Sequence, residues 1–129
     1  MEIDMANKNT RAIGTEGEQK AVEFLEENGY TILKLNYRVG RIGEIDIIAQ
    51  DGEYICFIEV KTRKSYSFGV PRESVTFKKQ EKIKLLASIY LTNTGNIDKP
   101  IRFDIVEILM KNNNDANEMN TINLIKNAF

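Results

Sequence analysis

The sequence predicts an α/β fold in which a central mixed sheet is flanked by helices, and three observations carry that prediction. Elements follow in the order helix, three strands, helix, strand and a short terminal element, the pattern of a sheet with helices packed on it. One segment, Tyr54–Thr62, is apolar on both faces, as a central strand must be. The longer second helix separates that strand from the next, which lets the next return parallel through a right-handed crossover.

The first helix is expected over Thr15–Asn28, because Glu18, Ala21, Val22 and Leu25 fall on one stripe and Gly29 supplies a stop. Tyr30–Tyr37 alternates in part and reads as a strand, and Val39–Gly43 as a turn. Glu44–Gln50 carries Ile45, Ile47 and Ile48, and Asp51–Gly52 is a hairpin signal that joins it to the central strand. Lys64–Pro71 is a loop with aromatics, Thr76–Leu91 the second helix and Ile101–Leu109 a further strand. Asn-rich residues 111–120 form a loop, and Thr121–Phe129 docks back as a strand or short turn. Residues 1–13 are a flexible or helical extension, and 14–129 read as one domain, an ordinary size for 129 residues in all.

Composition narrows the chemistry. There is no histidine, which removes imidazole bases, Ser-His-Asp and Cys-His triads and His-containing zinc sites. The single cysteine, Cys56, permits neither an internal disulfide nor a thiolate cluster. No apolar run approaches the roughly 20 residues of a membrane span, and the opening MEIDMANKNT lacks the apolar segment of a secretory signal. The chain therefore reads as a cytoplasmic, non-membrane protein, whose chemistry must come from carboxylates, amines and hydroxyls. A formal net charge of −1 argues against binding driven by global positive charge, but residues 60–84 hold eight bases against two acids. That local excess suits a phosphate backbone, and equally a solvated helix face.

The central strand carries the most informative residues. Phe57, Glu59 and Lys61 share a face by strand alternation. An exposed Glu59–Lys61 pair at a strand end would be unremarkable. Asp46 in the preceding strand changes the weighing: with the turn centred on Asp51–Gly52 it lies opposite about residue 57, and a bulge brings it nearer Glu59. Converging carboxylates repel, and a divalent cation is their natural partner. Glu18 adds an acid on the packing stripe of the first helix, although Thr15 and Glu18 also have capping-box spacing. Lys61 beside a bound ion would orient or activate a water, or stabilise charge on a phosphate. Lys79 and Gln80 lie near the packed face of the second helix and are candidate substrate contacts, whereas Lys78 and Lys82 are expected to point outward. Tyr66 and Phe68 could contact a sugar or an unstacked base.

Gly43-Glu44-Ile45-Asp46 followed by Phe57-Ile58-Glu59-Val60-Lys61-Thr62-Arg63 resembles the restriction-endonuclease-like, PD-(D/E)xK superfamily of metal-dependent nucleases. Within it the chain is most similar to the bacterial YraN-like family, from about Gly14 to Phe129. Gly17-Glu18, Gly29-Tyr30, Asn36, Lys79-Gln80, Arg102-Phe103-Asp104 and Asn127-Ala128-Phe129 belong to the same match. The resemblance implies a restriction-endonuclease-like fold and Mg²⁺- or Mn²⁺-dependent hydrolysis of DNA. It makes Asp46 and Glu59 metal ligands with the Val60 carbonyl, Lys61 the catalytic lysine, and Glu18 an acid acting directly or through water, as in Holliday-junction resolvases. Arg63, Lys64, Lys79 and Gln80 would meet substrate. Branched DNA and a homodimer follow from the resolvase resemblance alone. A noncatalytic nucleic-acid-binding or repair accessory role is the alternative, and a protein whose acids only cap and solvate a third.

Overall fold

The computed structural model describes residues 16–63, 75–109 and 121–129. Residues 1–15, with the expected N-terminal extension and Thr15, residues 64–74, with Lys64, Tyr66 and Phe68, and residues 110–120, with the Asn-rich segment, lie outside the described residues. The elements are α1 (Glu16–Glu27), β1 (Thr31–Val39), β2 (Gly43–Asp51), β3 (Tyr54–Arg63), α2 (Phe77–Thr94), β4 (Ile101–Leu109) and β5 (Thr121–Ile125). One sheet in the order β1-β2-β3-β4-β5 is antiparallel throughout except for the β3–β4 pair, which is parallel. With a helix on each face this is the α/β restriction-endonuclease-like fold.

The stripe of α1 buries Ala21, Val22 and Leu25 against Ile47, Ala49, Cys56, Ile58, Val106 and Ile108. The helix closes where Gly29 adopts φ 89°, with Gly29 N–H donating to Glu26 O and Tyr30 N–H to Leu25 O, as the Schellman motif requires. On the opposite face Ile83, Leu86, Ala87 and Leu91 of α2 cover Ile45, Ile48, Ile55, Phe57 and Ile105. The central strand is thus covered on both sides, as its sequence demands.

Helix α2 starts at the Thr76 cap, whose hydroxyl accepts from Lys79 N–H at 3.1 Å. It runs one turn beyond the expected Leu91 end, to Gly95 at φ 70°. Thr92 and Thr94 look like loop residues, but their hydroxyls donate to the carbonyls of Ser88 and Tyr90 one turn back and fit the helix. After β5, Ala128 N–H donates to Phe103 O at 2.7 Å and Phe129 stacks on Phe103 at 5.3 Å, which ties the C-terminal residues to β4. Among the described residues, no helix is long and apolar enough to cross a membrane.

Candidate metal centre

The site opens where two strands part. β2 pairs with β3 from Asp51↔Tyr54 to Ile47↔Ile58 and no further, while β1–β2 pairing continues to Val39↔Gly43. Side-chain alternation breaks at the same place. Ile47 and Ala49 pack towards α1, but Ile45 packs with Ile48 towards α2. On β1, Leu35 and Tyr37 straddle the same break, and Asn36 between them takes φ 50°, a left-handed conformation that Asn tolerates better than bulkier residues. Asp46 is thereby freed from the ladder. Its Oδ2 accepts from Val60 N–H at 2.8 Å, and a side chain supplies the contact that β2 backbone would otherwise make.

The register differs from expectation in a way that strengthens the site. The hairpin turn is Gly52–Glu53, with Asp51 still paired to Tyr54, so residue 46 faces Glu59 rather than residue 57. Asp51 stays in the strand because Arg102 Nη2 holds it at 3.1 Å.

Three carboxylates converge. Glu18 from α1 and Glu44 and Asp46 from β2 each offer an oxygen within 4.8 Å of the others, all three half-buried. Gly17 makes the approach of α1 possible, since a Cβ there would collide with Thr62 Oγ1 at the end of β3. Carboxylates at this spacing can hold a divalent ion, for which oxygen ligands are preferred.

Glu59 stands beside this trio but is not one of it. Only 2% of its side chain is exposed, and its Oε2 lies 2.9 Å from Lys79 Nζ on α2, so a buried acid is held by a lysine reaching down from the helix. Its Oε1 is buried without a hydrogen-bond partner. Such an oxygen is costly to leave unsatisfied and is the donor an added cation would use, so these residues fit a divalent ion.

Electrostatics record the crowding. Burial, then the charge of Glu59 and, more weakly, that of Glu18, pushes the Asp46 carboxyl from 3.8 up to about 7, although the Val60 N–H and Lys79 oppose the rise. Burial and then Lys79 lower the Lys61 ammonium, against the pull of Glu59 and Asp46. For Lys79, burial is outweighed by its hydrogen bond and attraction to Glu59, and its pKa rises.

A cleft of about 500 Å³ opens over the acids. Arg38 lines one side and Lys78, Lys79 and Lys82 of α2 the other, with Glu44 and Asp46 between them. Lys78 and Lys82 therefore face the cleft instead of pointing away from it: α2 lies along the opening, and its first turns overhang β2. Gln80 is not part of the lining, because its amide donates to Val75 O at 2.9 Å. Arg63 is turned towards β4, its Nε 3.5 Å from Glu107 Oε2, with 9% and 1% of the two side chains exposed. Lys64 lies outside the described residues. Of the expected site residues, then, Glu18, Asp46, the Val60 peptide, Glu59, Lys61 and Lys79 come together.

Two residues quoted only within the family match, Glu44 and Arg102, were given no role by the sequence. Glu44 stands two residues from Asp46, a spacing that would put both on one face of a regular strand. Arg102, by contrast, builds a structural network: it grips buried Asp104 through Nε and Nη2, and Nη2 also meets Tyr30 Oη at 2.7 Å.

Residues 17–108 match the profile of the uncharacterised protein family UPF0102. The chain belongs to this family. It is 51% identical to a UPF0102 protein of Acetivibrio thermocellus over 130 residues, the whole of both chains. A UPF0102 protein of Caldicellulosiruptor saccharolyticus is 48% identical, over 94% of this chain and 99% of its own. One from Clostridium botulinum is 46% identical, over 91% and 93%. The UPF0102 match takes in Glu18, Glu44, Asp46, Glu59, Lys61 and Lys79, so the whole candidate centre lies inside it.

Proposed function

We propose that this UPF0102 protein is a metal-dependent nuclease that hydrolyses DNA phosphodiester bonds with Mg²⁺ or Mn²⁺. The observation that carries the reading is the meeting of Glu18, Glu44 and Asp46 within 4.8 Å of one another. Beside them Glu59 keeps a buried oxygen without a partner. Membership of UPF0102 accords with the YraN-like resemblance.

Asp46, Glu18 and Glu44 hold the ion, with Glu59 and the Val60 carbonyl completing the set. A bound divalent ion supplies positive charge that acidifies water and polarises a phosphoryl oxygen. Lys61, its pKa lowered by burial and by Lys79, orients the attacking water and holds negative charge on the phosphate. The Asp46 contact to Val60 N–H fixes the strand that carries Glu59 and Lys61. Lys79 faces the cleft and meets the substrate backbone, and Gln80 supports the start of α2 through Val75. Lys64 extends substrate contact beyond β3, whereas Arg63 is taken up by Glu107. Branched DNA, a homodimer that places two such sites on one junction, a cytoplasmic location and a single domain over 14–129 complete the proposal.

A second reading rests on the 2.9 Å Lys79–Glu59 contact: an internal ammonium in place of a metal would leave a noncatalytic DNA-binding protein. Linear, flap and four-way DNA incubated with Mg²⁺ or Mn²⁺ separate the two. Cleavage lost in both Asp46→Asn and Lys61→Ala supports the nuclease, and salt-sensitive binding without cleavage supports the accessory protein.

A further inference from the structure

Two acids of the centre, Glu59 and Glu44, already have a cation, and the two pairs differ in cost. The Lys79–Glu59 pair is inside, with 2% of Glu59 exposed. The Arg38–Glu44 pair is outside: Arg38 Nη2 lies 2.6 Å from Glu44 Oε1, with 67% and 29% of the side chains exposed. An exposed ion pair contributes little and is easily exchanged. Glu44 nevertheless offers an oxygen to the Glu18–Asp46 cluster. The same carboxylate is thus claimed by Arg38 and by any ion that enters.

From this geometry we infer that Arg38 is a phosphate-binding residue of the cleft, held on Glu44 until a divalent ion takes that carboxylate. The inference rests on the nuclease reading and adds to it a substrate contact and a coupling. Arg38 stands on β1, across the opening from Lys78, Lys79 and Lys82 on α2. With Glu44 engaged by the ion, the guanidinium turns its fork to a backbone phosphate, an acceptor whose geometry it matches. The charges agree. Four cations and two acids line the cleft, and an added divalent ion leaves the guanidinium repelled from below and attracted by a polyanion above. Metal and DNA thereby bind cooperatively, since each favours the state in which Arg38 has left Glu44.

The test uses Arg38→Gln in the full chain, a substitution at an exposed position, with folding checked by its melting curve. Mn²⁺ affinity is measured without DNA by paramagnetic resonance of the free ion. Binding of a fluorescein-labelled 20-base-pair duplex is measured by anisotropy with Ca²⁺ present, and the duplex is checked intact on a gel. Arg38→Gln is expected to bind Mn²⁺ about fivefold more tightly, because the competing cation is gone. It is expected to bind the duplex about threefold to tenfold more weakly, with the log–log salt slope reduced by about 1. Unchanged or weaker Mn²⁺ binding, or unchanged DNA binding, overturns the inference. Asp46→Asn separates this from failure of the underlying reading. If Asp46→Asn binds Mn²⁺ as tightly as the parent protein, the metal centre itself is wrong. If it loses Mn²⁺ while Arg38→Gln gains none, only the role of Arg38 falls.

Discussion

Replacing Asp46 by Asn should make the metal-free protein more stable, although a half-buried hydrogen-bonding carboxylate is being removed. Asp46 has its pKa raised from 3.8 to about 7, first by burial and then by Glu59. A carboxyl raised in the fold binds protons more tightly there than in the unfolded chain. Its cost is therefore absent well below pH 4, grows as pH rises, and is complete above about pH 7. At about 1.36 kcal/mol per unit the cost reaches about 4 kcal/mol, and about 2 kcal/mol after discounting for water in the open cleft. Asn removes the charge, and its side-chain carbonyl can still accept from Val60 N–H. Melting at pH 8 without metal should therefore rise by about 8 °C for a chain of this size, with little change at pH 4. Mg²⁺ should stabilise the parent and not the variant, since a ligand bound only to the folded state adds stability. A variant destabilised equally at pH 4 and pH 8 would contradict it, because ionisation of Asp46 between those pH values would then carry no cost in the fold.

Lys61→Ala should lower kcat for DNA cleavage by about 100- to 10,000-fold while leaving Mn²⁺ affinity within a few-fold, the pattern of a group acting on the reaction and not on the ion. Lys79→Met leaves Glu59 buried without its cation, so the metal-free protein should lose about 1–3 kcal/mol in urea denaturation, with added Mn²⁺ restoring part of the loss. Gly17→Ala puts a methyl against Thr62 Oγ1. That should cost about 1–3 kcal/mol in the same assay and weaken Mn²⁺ binding by displacing Glu18.

Periodicity made much of this legible. Alternation along β3 put Glu59 and Lys61 on one face, and the Lys79 contact from α2 agrees with that face. Both faces of β3 proved buried, as its composition implied. The register was less legible, because a dipeptide turn signal does not say which residue leaves the ladder. Asp51 remains in β2 through Arg102, a partner about fifty residues away. The break at Asp46 coincides with the left-handed conformation of Asn36 on the neighbouring strand, which no local pattern announces. Glu44 looked like an ordinary strand-end acid until α1 brought Glu18 to it. Gln80 and Lys78 illustrate the helical case: their roles depend on which part of α2 overhangs the parted strands, and spacing alone does not locate that overhang.

Whether Glu18, Glu44 and Asp46 share a metal ion is decided by anomalous diffraction from crystals soaked in Mn²⁺. A peak within coordination distance of Glu18, Glu44 and Asp46 is the predicted result. Saturating Mn²⁺ with no peak there, or with the ion bound only elsewhere, would contradict it.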